Sequence, residues 1–218
     1  MGSSFVDVGA HFGDTTATMA AHAKAVGRTD VRFFAFEPSK LKCLWLEEVA
    51  EANGLNIVVV NAAVGERERV VRPERGGKKR ALFDGSMKYE EVAEGESSSG
   101  SGGGSSDSEE DEGGDEGVVR MVSLDSMVDE ISPLGLLHLD VEGWEAQALR
   151  GGREVLARSA GTCHVIAEVW EDKDCFRRGV EGGAEEKIEA VMRDHALFKR
   201  GDDIKDRERN VVYSKTTA

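Results

Sequence analysis

Short apolar runs alternate with longer amphipathic stretches over the first sixty residues. Phe5–Val8 reads as a buried strand stopped at Gly9. Asp14 follows as the cap of an Ala-rich helix reaching about Val26, with Gly27 at its C-terminal stop. Val31–Phe36 is a second strand, ending at Glu37-Pro38. Ser39 then caps a helix stopped by Gly54, with Leu41, Leu44, Trp45, Val49 and Ala52 on one face, the kind of face a helix turns to a core. Ile57–Val60 is a third strand running into Asn61-Ala62-Ala63. The order βαβαβ is that of a mononucleotide-binding half of a doubly wound α/β fold.

The pattern weakens after Gly65 and then resumes. Val70-Val71 and Ala81–Phe83 suit a hairpin, Val118–Val122 a strand, and Leu124–Ile131 a short helix. Leu136–Asp140 and Val165–Val169 are apolar strands. Between them, Trp144–Arg150 and Arg153–Ala157 form a helix interrupted at Gly151-Gly152. Ala184–Ala196 is a helix with Ile188, Val191 and Met192 inward, and Leu197–Lys199 with Val211–Ser214 make a terminal hairpin. Leaving aside the weak stretch between Gly65 and Ile131, about seven strands are expected by pattern.

The net charge of -14 argues against nucleic acid or an anionic membrane surface as partner. Much of it is local: nine Asp or Glu and no Lys or Arg lie between Glu94 and Glu116. Without them about -5 remains, an ordinary value for a soluble domain. Residues 94–117 are almost entirely Gly, Ser, Asp and Glu, too polar to offset their ordering entropy, and are expected to form a disordered insertion within one domain spanning 1–218. Cys43, Cys163 and Cys175 are odd in number and match no metal-site spacing, so they read as reduced thiols. With no apolar run of transmembrane length and no leader pattern, a cytoplasmic protein is expected.

Two strand ends carry candidate chemistry. Asp7-x-Gly9-x-x-x-Gly13 is a glycine-rich turn, but it is not the Gly-x-Gly-x-x-Gly dinucleotide fingerprint. A carboxylate in that turn would repel a pyrophosphate and suits a cationic or amine-bearing ligand, which favours S-adenosylmethionine over a nicotinamide dinucleotide. Glu37, closing the second strand, is placed to accept both hydroxyls of a ribose. The run Leu136-Leu-His-Leu-Asp140-Val-Glu142-Gly143 delivers Asp140 and Glu142 to the carboxyl edge of the sheet, where open α/β folds bind ligands. Either carboxylate can orient an acceptor hydroxyl or take its proton. Both also suit Mg²⁺, although no third ligand is evident from spacing and no metal is assigned. A charge pair stabilised by a helix N-terminus is the alternative role. His138 is a candidate acid/base, His11 a pocket-lining residue, and Glu168 a substrate contact on the same rim. Trp144 and Trp170 follow strand ends and would line an acceptor pocket or pack.

The ordered set Asp7-Val-Gly9-Ala-His11-Phe-Gly13-Asp14-Thr15, Phe36-Glu37-Pro38, Asn61-Ala62-Ala63-Val64-Gly65, Ser123-Leu124-Asp125-Ser126, Leu139-Asp140-Val141-Glu142-Gly143-Trp144-Glu145 and Ala148-Leu149-Arg150-Gly151-Gly152 resembles the FkbM-type S-adenosylmethionine-dependent methyltransferases over nearly the whole chain. The resemblance implies a class I, Rossmann-like fold: a seven-stranded, mostly parallel sheet with helices on both faces. It also implies O-methylation of a hydroxyl on a small molecule or sugar. Asp7, Gly9, His11 and Gly13 would line the methionine and ribose side, Glu37 the ribose, and Asn61 and Ala62 the adenine neighbourhood. Asp140, Glu142 and, third, His138 would serve catalysis, and Glu168 and Trp144 the acceptor. The sequence departs from the family in two places. Only Met1-Gly-Ser-Ser precedes the first strand, where relatives carry a covering segment, so a truncated chain with an open site is expected. His138 stands where the family often has Lys. Two rival readings remain at this level: a catalytically impaired binding protein of the same fold, and a nicotinamide-dependent oxidoreductase.

Overall fold

The computed structural model describes residues 2–73, 89–91, 118–169, 183–195, 198–201, 204–205 and 209–216. The expected acidic insertion at 94–117, the Ala81–Phe83 strand and Trp170 lie outside them. Strands β1 (Ser4–Val8), β2 (Arg32–Phe36), β3 (Ile57–Val60), β4 (Ala63–Val64), β5 (Arg69–Pro73), β6 (Tyr89–Glu91) and β7 (Val119–Val122) come first. They are followed by β8 (Leu134–Leu139), β9 (Thr162–Val169), β10 (Lys199–Arg200), β11 (Ile204–Lys205) and β12 (Arg209–Thr216). The helices are α1 (Asp14–Ala25), α2 (Lys40–Asn53), α3 (Val128–Ile131), α4 (Glu145–Arg150), α5 (Arg153–Ala157) and α6 (Ala184–Arg193).

The main sheet runs β10-β12-β9-β8-β1-β2-β3, with β11 hairpinned onto β12. The pairs β1–β2, β1–β8, β2–β3 and β8–β9 are parallel, and β12 is antiparallel to both its neighbours. All five residues of β1 are buried, the condition of a central strand covered on both faces. The largest core packs Leu134, Leu137 and Leu139 of β8 with Leu149, Leu156, Ile188 and Val191 from the helices. A smaller one on the other side joins Phe5, Ala20 and Phe33. The α/β class and mostly parallel sheet are those the pattern predicts, and Ile188, Val191 and Met192 of α6 are buried as expected. No described helix is long and apolar enough to cross a membrane.

Two expectations are corrected, both on helices. The expected strand at Val118–Val122 forms as β7, in a second sheet ordered β4-β7-β5-β6. Within it β5 pairs with Tyr89–Glu91 and with β7, so those are the described partners of the Val70-Val71 strand. Helix α1 is capped by Gly13, not Asp14, which sits in its first turn. Helix α2 is turned around: Leu41 is 68% and Trp45 55% exposed, while Lys42, Cys43, Leu46 and Ala50 face inward. The second stripe wins because its residues suit a close approach. Leu46 fills the space left by the missing side chain of Gly13, where a Cβ would lie 2.2 Å from Leu46 Cδ1. Asp125, from the Ser-Leu-Asp-Ser run, accepts the Glu154 and Val155 amides at 2.9 and 3.0 Å and so caps α5.

Candidate functional site

Parallel pairing sets Asp7 of β1 beside His138 of β8 in register, so their side chains share one face. Asp140 follows β8, its amide donating to Val8 O at 3.0 Å. Glu168 lies at the same edge of β9. Because β12 runs the opposite way, its early residue Asn210 pairs with Glu168 there. The carboxyl ends of the parallel strands thus form the floor of a cavity of about 220 Å³, walled by Asp7, Gly9, His11, Asp140 and Glu168 among others.

The floor is built around a buried carboxylate. Asp7 is 1% exposed. Its Oδ2 accepts the Thr16 hydroxyl, and its Oδ1 lies 2.8 Å from His138 Nδ1. An ionised carboxylate only accepts, so the imidazole carries a proton on Nδ1, and its Nε2 remains for the cavity. Burial by itself lowers the His138 pKa. The hydrogen bond to Asp7 and the charges of Asp7, Asp140 and Glu168 outweigh it and hold the pKa above the usual imidazole value. A raised folded pKa means that the protonated pair stabilises the fold fully below about pH 6.5 and loses that contribution as pH rises through the folded value. Thermal melts of wild type and His138→Gln from about pH 5.5 to about pH 9 are therefore expected to converge as pH rises. A pH-independent difference would contradict the pairing.

Gly9 is held against the neighbouring strand end. Its φ is +87°, and a Cβ there would lie 1.9 Å from the Asp140 carbonyl oxygen. Gly13 is not part of the cavity wall; its bare Cα serves α1–α2 packing. Glu37 is buried at the end of β2, where its Oε1 accepts the Ser39 amide at 2.9 Å and its Oε2 the His11 amide at 3.0 Å. Burial raises its pKa against the opposing pull of Lys42 and these two amides. Asn61 Nδ2 donates to the Glu37 and Pro38 carbonyls at 3.0 and 2.9 Å, and Ala62 is buried beside it. These groups fasten the glycine turn to the β2 and β3 ends, along the rim rather than in the cavity wall.

Of the expected residues, the fold therefore gathers Asp7, Gly9, His11, His138, Asp140 and Glu168 into one wall. Glu37, Asn61 and Ala62 form the adjoining rim. Glu142 is outside the wall, in a turn with φ 56°. Trp144 is outside the wall, packed against the cluster of Ala63, Val71 and Met121 with Arg69 over its ring at 5.8 Å. Sequence reading missed Thr15 and Asn210 in the wall and Thr16 behind Asp7. Asn210 had no local signal, since only the reversed strand brings it to this edge.

The family model for the FkbM methyltransferase domain matches residues 7–193. No curated protein matches the chain. Among solved structures, a Klebsiella pneumoniae protein assigned as an O-methyltransferase superposes with a TM-score of 0.52 at 7% identity, covering 99% of this chain and 74% of that one. A Streptococcus mutans protein assigned as a methyltransferase, in complex with SAH, gives 0.50 at 10% identity, covering 98% and 88%. A Clostridium thermocellum protein assigned as an rRNA methylase gives 0.50 at 11% identity, covering 99% and 87%. At such identities the likeness is one of fold.

Proposed function

Because the chain belongs to the FkbM methyltransferase domain family and uses S-adenosylmethionine as methyl donor, we propose that it methylates a hydroxyl on a small molecule or sugar, with His138 as proton acceptor. The observation that carries this reading is the pairing of buried Asp7 with half-buried His138 on the cavity floor. The donor, when bound, presents an electrophilic methyl on a cationic sulfonium. The wall suits that charge: Asp7, Asp14, Asp140 and Glu168 line it, with no Lys or Arg among the described lining residues. Gly9 lets the backbone approach closely. Glu37 spends two of about four acceptor positions on amides, leaving two for ribose hydroxyls.

On the acceptor side, Asp140 orients the hydroxyl and Glu168 contacts the rest of the molecule. The bound donor would supply the methyl to the acceptor oxygen and leave as the neutral thioether, while His138 Nε2 would take the hydroxyl proton. Asp7 stabilises the imidazolium that forms. Alignment of the two reactants in the cavity supplies much of the rest. The acidic wall disfavours anionic acceptors such as phosphate esters. Residues 1–218 act as one methyltransferase domain in this reading.

Methyl-labelled S-adenosylmethionine offered with panels of neutral, amino-bearing and phosphorylated hydroxyl compounds tests it. Label on oxygen, in neutral or cationic acceptors, is expected. SAH binding without any transfer would favour the impaired binding protein, and label on nitrogen alone would reject the hydroxyl.

A further inference from the structure

The turn that follows β8 is an unlikely conformation held from behind. Glu142 has φ 56°, which side chains other than Gly rarely adopt, and Gly143 follows at φ 98°. Glu145, at the start of α4, is 2% exposed. Its Oε1 accepts the Val141 amide at 3.2 Å and the Gly143 amide at 3.0 Å, the two amides that flank the strained residue. On the other side, the Asp140 amide is tied to Val8 O and its carbonyl is pressed onto Gly9. Glu145 itself is absent from the cavity wall.

We propose that Glu145 is a positioning residue: its carboxylate clamps the Val141–Gly143 turn and so fixes where Asp140 stands in the cavity. The inference rests on the reading of Asp140 as an acceptor-side group. Without Glu145, the two part-buried amides that flank Glu142 lose this carboxylate acceptor, and the strained backbone between them loses that restraint. The turn then relaxes and carries Asp140 with it, although no atom of Glu145 meets a reactant. Burial, opposed by the turn amides and reinforced by Glu168, pushes the Glu145 pKa up to about 7, which gives the clamp its own spectroscopic signature.

The test uses the full chain, isotope-labelled, as wild type, Glu145→Gln and Glu145→Ala. Gln keeps an acceptor oxygen for both amides; Ala does not. Hydrogen exchange at the Val141 and Gly143 amides is expected to quicken at least about tenfold in the Ala variant and to stay near wild type with Gln. The His138 pKa, which the Asp140 charge helps to raise, is expected to fall with Ala and hold with Gln. Turnover of a found acceptor should follow the same order in kcat, with SAH affinity within about threefold. Unchanged exchange and an unchanged His138 pKa in folded Glu145→Ala overturn the proposal. Should Ala fail to fold, the Gln variant decides: the two amide resonances titrate near neutrality in wild type only, and titration in both overturns it. Both resonance results as expected, with no hydroxyl methylated, would overturn the hydroxyl reading and leave the clamp standing.

Discussion

Methyl transfer by the His138→Ala variant is expected to fall about 10²–10⁴-fold, the range lost with a positioned general base. SAH affinity should change little, because the imidazole acts on the acceptor proton and not on the donor. Asp140→Asn is expected to lower kcat as well, and the pH profile separates the two roles. If His138 takes the proton, kcat rises with pH through a value above the ordinary imidazole range, since Asp7, Asp140 and Glu168 hold the proton on it. That limb persists in Asp140→Asn, shifted down because one of the three charges is gone, and vanishes in His138→Ala. A limb that survives loss of His138 would return the proton to another group.

Gly9→Val is expected to abolish measurable SAH binding and to lower the melting temperature. The position demands φ +87°, and the nearest obstacle to a Cβ is the backbone of Asp140 at 1.9 Å, which no rotamer change relieves. Strain of about 1–3 kcal/mol for the backbone and a similar overpacking cost follow. The milder Glu37→Ala keeps the β1 turn glycine but removes the acceptor of the His11 and Ser39 amides along with the proposed ribose contact. A loss of about 2–4 kcal/mol, roughly 30- to 1000-fold in affinity, is expected. Isothermal titration with SAH reads both. Wild-type affinity in either variant would remove the turn from the cofactor site.

Much of this was legible in the chain. Strand ends are marked by an apolar run meeting a Gly or a carboxylate, so Asp7, Gly9, Glu37, Asp140 and Glu168 could be named as edge residues before any coordinates. What periodicity could not decide was which of two apolar stripes on α2 faces the sheet. Leu41, Leu44 and Trp45 form the bulkier stripe, yet Cys43, Leu46 and Ala50 allow the closer approach to Gly13. Nor could it show that the charged groups pair. That Asp7 is spent on Thr16 and His138, and Glu145 on two amides, depends on register and on a turn conformation that local sequence does not encode. Hence His138 ranked third by pattern, and its pairing with Asp7 is what the proposed function builds on.

The separation of Asp7 from His138 along the chain, 131 residues, has a consequence for how the molecule comes into being. During synthesis the β1–β2–β3 unit emerges with both of its crossover helices, and with it the glycine turn, Glu37 and the His11 amide that Glu37 accepts. One flank of β1 stays unpaired until β8 arrives, and Asp7 waits there as a carboxylate whose imidazole has not yet been made. Closing so long a loop is slow relative to local pairing. The β1–β2–β3 half is therefore expected to assemble first. When β8 docks it delivers the imidazole and Asp140 together, and β9 and β12 then bring Glu168 and Asn210 to complete the wall.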